Sequence, residues 1–377
     1  NILSGGTLYL VDEPTANASY DGAALVNVDE LNIAAGGKLA LQLPSYPSGT
    51  ATYPAIVTNT ADITGATLEV RPSSANGLYA DSYVFDNVID ANTLTGTFGS
   101  LVIAGANTSL LTLAATYDAG ENVDLTMTRN AFDSVGGMTV NQTSAASGIE
   151  NVYSSTMSGP FATMLATMFT QDAATYAGAI DQLSGSQYAG YLQSLSGVGG
   201  QFNGLLSQVG QCAVTTELRS ACRQEAKGRI WGQTNYGRMT KDGDVEAPSY
   251  KANQYHISLG TDFNVSESLV LGVAGAYVQD DLNFSRHNAT LKSDGYQAGA
   301  YAVYAPGQYY LKGVVSYTSL KGDANRSISI GTTTGTVTGK PEAEIWTLSG
   351  EVGYNLNIGS SSITPYLGVD HTAAKLK

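Results

Sequence analysis

Charge is scarce in this chain: Asp, Glu, Lys and Arg make up 13% of its 377 residues, about half the usual share of a soluble domain. A chain this poor in charge, with 43 glycines and with 23 tyrosines against 8 phenylalanines and 2 tryptophans, is a poor candidate for a helical enzyme. It reads as β-rich and repetitive. Cysteine and histidine are nearly missing, two and three residues, which leaves little for metal chemistry and implies no cofactor. No histidine precedes His256, so a Ser–His pair is excluded upstream of it. The chain has no Gly-x-Ser-x-Gly elbow and no His-Glu-x-x-His motif. Gly197-Val-Gly-Gly-Gln-Phe202 departs from the dinucleotide-binding pattern at its last position. No catalytic residue is assigned, and the chain is not expected to be an enzyme. No run of 18 apolar residues occurs, so no helix is expected to cross a membrane. The chain opens at Asn1 without Met and in mid-pattern, as expected of a fragment.

The formal charge of −14 argues against nucleic acid as a partner. Its distribution is uneven. Residues 1–216 hold 3 basic and 17 acidic side chains, and residues 217–377 hold 15 of each. The two parts are therefore expected to meet different environments.

Across residues 1–135, short apolar stretches alternate with Gly, Asn and Asp. Thr7–Val11, Leu31–Ile33, Lys38–Leu43, Ala66–Val70, Ser100–Ile103 and Ser109–Leu113 are each of strand length and followed by turn formers. Their spacing, often about 20–30 residues, fits the coils of a parallel β-helix; a β-sandwich is the alternative. From about Gln142 the composition turns to Ala, Met, Leu, Gln and Ser. Phe161, Met164, Leu165, Met168 and Phe169 fall on one helical face behind Pro160, a residue suited to a first turn. Further helices are expected over 172–184, 187–195 and 201–211. Cys212 and Cys222 stand ten residues apart, about 15 Å along a continuous helix. A disulfide between them requires a broken helix or a tight loop, and in an oxidising compartment two nearby cysteines usually pair.

The strongest pattern begins at Gly228. Strands are expected over 228–239, 251–263, 269–279, 294–305, 308–320, 343–357 and 362–373. The connections alternate between long and short, as in an antiparallel outer-membrane barrel. Along the second strand Tyr255, Ile257, Leu259, Thr261 and Phe263 share one face, and Gln254, His256, Ser258 and Asp262 share the other. Four aromatic pairs recur at an interval of eight: Tyr255 and Phe263, Tyr296 and Tyr304, Tyr309 and Tyr317, Trp346 and Tyr354. Eight residues span roughly 27 Å along a strand and, with a tilt near 40°, about 21 Å along a bilayer normal. These aromatic residues are therefore expected to form two girdles around an apolar band. His256, Lys312 and Glu351 are expected to face a polar lumen. Seven strands are one short of the smallest bacterial barrel, so further strands are expected beyond Lys377.

Gly96-Thr-Phe98, Leu111–Tyr117, Val123–Asn130, Asn141-Gln142, Ile180–Gly185, Arg229–Gln233, Gly260–Asp262, Leu271–Val273 and Gly299–Tyr301 occur in an order that resembles the autotransporter (type V secretion) family over about residues 90–377. The resemblance implies a mainly β chain with three parts. Residues 1–140 are the end of a β-helix passenger with its folding seed at about 60–135. Residues 141–226 are a helical linker, with 201–226 in the pore. Residues 227–377 supply seven of twelve barrel strands. It implies export and anchoring of the passenger at the surface of the bacterial outer membrane. The implied partners are outer-membrane lipid, the chain's own passenger, and barrel-assembly and periplasmic chaperone machinery. A surface adhesin, or an exported hydrolase with its active part upstream of Asn1, remains as an alternative. Two features depart from the family. No Asn-Asn pair lies in 195–230, so cleavage inside the pore is not expected, and the cysteine pair before the first strand is outside the family pattern.

Overall fold

The computed structural model describes residues 1–10, 26–43, 49–118, 120–215, 218, 227–358 and 361–377. They form two units, Asn1–Ser184 with Ser329–Thr334 and Gly185–Ile328 with Gly335–Lys377.

In the first unit, parallel strands stack in two sheets. One sheet has the order β1 (Thr7–Leu10), β3 (Lys38–Gln42), β6 (Thr67–Arg71) and β8 (Ser100–Ile103). Thr7 stands opposite Lys38, Lys38 opposite Thr67, and Thr67 opposite Ser100, so each strand pairs with one about 30 residues onward, the spacing of a solenoid coil. The other sheet runs β2 (Val26–Asn32), β5 (Ile56–Asp62) and β7 (Ser82–Thr95) in parallel, with β4 (Gly49–Thr52) also pairing with β7. Alternate side chains point inward, as a period of two requires. Leu39, Leu41, Leu68, Val70, Ile56, Ile63 and Ile89 are buried, each contributing about 1.5–3 kcal/mol. The same corner recurs at four glycines among the described residues. Gly5, Gly36, Gly65 and Gly96 all have φ between 69° and 81°, a left-handed conformation open to glycine at little cost. The Gly5 amide donates to the Gly36 carbonyl at 3.0 Å.

The parallel stack ends where β7 pairs antiparallel with β10 (Asn122–Arg129), which in turn pairs with β9 (Leu111–Asp118). Three helices follow: α1 (Val140–Glu150), α2 (Pro160–Met168) and α3 (Ala173–Leu183). Pro160 opens α2 as expected, and Met164, Leu165, Met168 and Phe169 are buried. Phe161, assigned by its spacing to the same stripe, is 39% exposed; it occupies the first turn, at the edge of the packed face. Arg129 ties this region together. Its guanidinium donates to both carboxylate oxygens of Glu150 at 2.7 and 2.9 Å and to Asp81 at 2.7 Å, and it lies 4.6 Å from the centre of the Tyr153 ring.

The second unit contains the expected antiparallel strands: β11 (Gly228–Lys241), β12 (Tyr250–Asn264), β13 (Leu269–Phe284), β14 (Thr290–Tyr304), β15 (Tyr309–Ile330), β17 (Glu342–Tyr354) and β20 (Tyr366–Leu376), paired in that order. Among the described residues the sheet has two free edges, β11 and β20. Two expectations are corrected. Lys321–Glu342 is not a loop. β15 continues to Ile330 and turns back through β16 (Thr333–Gly339), because Thr and Val dominate the returning segment and favour strand. The last expected strand, 362–373, is shifted to Tyr366–Leu376, and a small hairpin of β18 (Leu356–Ile358) and β19 (Ser361–Ile363) precedes it.

Candidate functional site

Residues 186–211 form one continuous helix, α4 (Ser186–Gln211), against the inner face of this sheet. The expected break between 195 and 201 is absent. Glycine disfavours a helix in water by about 1 kcal/mol, but here glycines let the helix lie close to the wall. A Cβ on Gly199 would meet Thr347 Oγ1 at 2.9 Å and Ile345 Cγ2 at 3.0 Å, and one on Gly190 would meet the Phe284 ring at 2.9 Å. The helix facing the wall therefore starts at Ser186, fifteen residues before the expected 201; of the expected span, 216–217 and 219–226 lie outside the described residues, as does Cys222 of the expected cysteine pair.

One side of α4 is dry. Tyr191, Leu195 and Val198 pack on Val278, Leu282, Leu291, Leu320 and Ile345. Phe202, Leu205 and Leu206 pack on Ala276, Tyr301 and Val314. Polar side chains form a second layer between helix and wall. Ser194 donates to Asp280 at 2.9 Å, and Gln254 donates to the Ser194 carbonyl at 3.3 Å. Gln201 bonds Gln254, Asn203 bonds Ser349, and Ser316 donates to Asn203 at 3.2 Å. On the opposite side Gly200, Asn203, Gly204 and Ser207 border a hydrophilic cavity of about 420 Å³ shared with Lys312, Ser349, Glu351 and Asp370.

His256 and Lys312 are buried, at 2% and 5% exposure, and Glu351 is half-buried beside Lys312, 3.0 Å away. His256 Nδ1 lies 2.9 Å from Gln297 Oε1. The eight aromatic residues spaced by eight lie on the outer face. Tyr255, Phe263, Tyr296, Tyr304, Tyr309, Trp346 and Tyr354 are exposed, and Tyr317 is partly covered by Trp346, with ring centres 4.9 Å apart. Strand register adds two that the interval missed. Tyr236 stands opposite Tyr255, and Tyr277 stands opposite Tyr296 with ring centres 5.6 Å apart. Their counterparts eight residues earlier are Gly228 and Leu269, so the interval could not find them; cross-strand pairing does. Between the two rows the outer face carries Ile257, Leu259, Val273, Val315 and Leu348, all exposed.

Three inward aromatic rings lie flat over a glycine of the neighbouring strand: Trp231 over Gly260, Tyr301 over Gly272 and Tyr310 over Gly353. Each glycine leaves the space a Cβ would fill.

An antiparallel sheet with apolar side chains outward, aromatic rows at two levels and a polar inner face against a helix is the inside-out arrangement of an outer-membrane protein. Residues 230–377 match the family model described as Autotransporter beta-domain. This part of the chain is an autotransporter β-domain. The β-domain locates the protein in the bacterial outer membrane. A Pseudomonas putida protein, described as an uncharacterized protein in the trpE-trpG intergenic region, is 25% identical over 154 residues. These are 40% of this chain and 24% of that relative, so the chain spans about a quarter of the length of the relative it matches. The translocator domain of autotransporter NalP from Neisseria meningitidis aligns with a TM-score of 0.41 at 17% identity, over 49% of this chain and 61% of that one. The β-domain of the Bordetella autotransporter BrkA aligns with a TM-score of 0.30 at 19% identity, over 39% and 59%.

Proposed function

We propose that the chain is an outer-membrane translocator that exports its own N-terminal part and anchors it at the cell surface, with no catalytic role. In this reading residues 1–140 are the end of a parallel β-helix passenger, 141–226 a helical linker whose last part occupies the pore, and 227–377 seven strands of a twelve-stranded barrel. The partners are outer-membrane lipid, the passenger, and the barrel-assembly and periplasmic chaperone machinery that the family uses.

One observation supports this most: the sheet is apolar outside and polar inside, with α4 against the polar side. Exposed Leu, Val and Ile in a continuous band would drive association in water, whereas lipid accepts them. A hydrated interior lets a polar chain pass without meeting hydrocarbon. Stacked coils add one by one onto a template, so folding outside the cell opposes return through the pore. The test is expression in a Gram-negative host. The chain should fractionate with outer membranes and migrate faster on gels before heating than after. Protease added to intact cells should cut within residues 1–184 and spare 228–377. Recovery of the full chain from the soluble periplasm would overturn the reading.

A further inference from the structure

The outer face of the sheet differs beyond its two aromatic rows. On the short-turn side, residues 265–268, 305–308 and 355–365 hold one charged residue, Glu267. On the side of the long connections the strands carry outward charges, and over β13–β20 cations there face carboxylates. Lys292 stands between Asp281 and Asp323, Lys321 lies 3.5 Å from Glu342, and Lys377 lies 2.7 Å from Glu344. Arg238 on β11 and Lys251 on β12 differ. Both are exposed, their cross-strand neighbours are the neutral Asn253, Thr240 and Asn283, and neither makes an ion pair among the described residues. They stand diagonally across the two strands, about 7–8 Å apart. Asn253 lies between them, opposite Arg238 and two residues from Lys251. The Tyr236 hydroxyl donates to Asn253 Oδ1 at 2.9 Å, which leaves the Asn253 amide group as a third donor. Asp281, beside Asn253 on β13, has Lys292 on its other side, and Asp244 in the loop after β11 accepts from the Glu246 and Ala247 amides at 2.8 Å.

We propose that Arg238, Asn253 and Lys251 form a binding site for the phosphate group of an anionic lipid in the outer leaflet. The proposal rests on the translocator reading above, which puts the long connections outside the cell. Height agrees with this partner. Arg238 lies two residues beyond Tyr236, and Lys251 lies four beyond Tyr255. At about 3.4 Å per residue and a tilt near 40°, these steps rise roughly 5 and 10 Å above the aromatic row. The polar head-group layer extends about 5–7 Å beyond the hydrocarbon, and a lysine stem reaches back toward it along apolar surface. Chemistry agrees as well. A guanidinium offers a phosphate two parallel donors, and an ammonium adds a point charge. The amide between them supplies a neutral donor. A cation that already faces carboxylates gains less from the same phosphate, so the site is confined to β11 and β12. Tyr236 acts through Asn253, as a positioning residue.

The test uses the full-length chain taken from outer membranes into micelles of a neutral detergent. Phosphatidic acid is the probe and phosphatidylcholine its reference, and native mass spectrometry counts the lipids bound. The parent should retain one phosphatidic acid at concentrations that leave no phosphatidylcholine bound. Arg238→Gln should weaken that binding about fivefold, and Arg238→Gln with Lys251→Gln by more than about tenfold, as expected for cations lost near a head-group layer. Asn253→Asp sets a carboxylate between the two cations and should abolish retention, which keeps the test open if the double variant fails to fold. Lys321→Gln, whose cation already faces Glu342, should bind as the parent does. Heat-modifiable migration, which reports the folded sheet, should stay parental in every variant compared. Displacement of the lipid by millimolar inorganic phosphate would overturn the assignment to a lipid. Equal retention of the two lipids by a folded parent, or parental binding by the folded double and Asn253→Asp variants, would overturn the site while leaving the translocator reading intact. Absence of the parent itself from outer membranes would overturn both.

Discussion

The Arg129 cluster shows how much can depend on one side chain. Its guanidinium is buried against Tyr153 and held by two carboxylates, of which Asp81 is exposed and Glu150 is largely covered. The hydrogen bond from Arg129 holds the Glu150 carboxyl below the usual carboxylate range; burial opposes the shift, and the Phe132 amide assists it. A carboxyl depressed in the folded state contributes stability that is fully present above its unfolded pKa, about 4.3. That contribution is lost as pH falls through the folded value. Glu150→Gln should therefore lower the unfolding free energy of the first unit at pH 7 by about 1–3 kcal/mol for a charged hydrogen bond broken beside a buried guanidinium, read as a lower denaturant midpoint. The difference from the parent should shrink to nothing below the carboxylate range; a gap persisting there would contradict the assignment. In the second unit, Gly272 is occupied by the Tyr301 ring, and a Cβ there would lie 2.1 Å from it. Gly272→Val should displace the ring from Asp262 at a cost of about 1–3 kcal/mol, read as a lower yield of the heat-modifiable form.

At the scale of elements, α4 separates two effects that usually act together. Gly199 and Gly200 are neighbours in one helix, but a Cβ on Gly199 strikes Thr347 and Ile345, whereas nothing lies within 4 Å of a Cβ on Gly200. Gly200→Ala should stabilise the folded form by up to about 1 kcal/mol through helix propensity alone, and Gly199→Leu should destabilise it. Urea titration of the folded fraction reads both, and equal signs would show that the helix does not press on the wall as described. The continuity of α4 was not legible in the sequence. Six glycines between 190 and 210 read as interruptions, and only the wall that the helix touches explains them. The start of α1 was legible and was missed: Thr139 accepts from the Gln142 amide while Gln142 Oε1 accepts from the Thr139 amide, the reciprocal pair that Thr-x-x-Gln forms before a helix. The antiparallel strands were legible because alternation repeats over ten or more residues in each. The segment 321–342 hid its hairpin because Gly, Thr and Ser serve turns and strands alike.

At the scale of the whole chain, the composition alone divides the sequence into an acidic part, 1–216, and a charge-balanced part, 217–377; the charge-balanced part holds the antiparallel sheet. What the outer face of the sheet meets follows from polarity. Its inner face is already taken up by α4, polar side chains and a hydrophilic cavity, so the exposed band of Ile257, Leu259, Val273, Val315 and Leu348 has no apolar core left to enter. Leu259 tests this directly. It is 65% exposed and lies four residues from Tyr255 and four from Phe263, midway between the two aromatic rows. In a water-soluble protein an exposed Leu→Arg change shifts stability by roughly ±0.5 kcal/mol. At the middle of a bilayer the same change costs about 2–4 kcal/mol. Refolding parent and Leu259→Arg into phospholipid vesicles, with urea titration of the heat-modifiable form, measures which solvent the face meets. A cost near the larger figure is expected. Val265→Arg, on the short turn after β12 and beyond the Phe263 row, should cost close to nothing. If Leu259→Arg were equally silent, the band between the aromatic rows would lie outside hydrocarbon, and the fit of the eight-residue interval to a membrane would lose its physical basis.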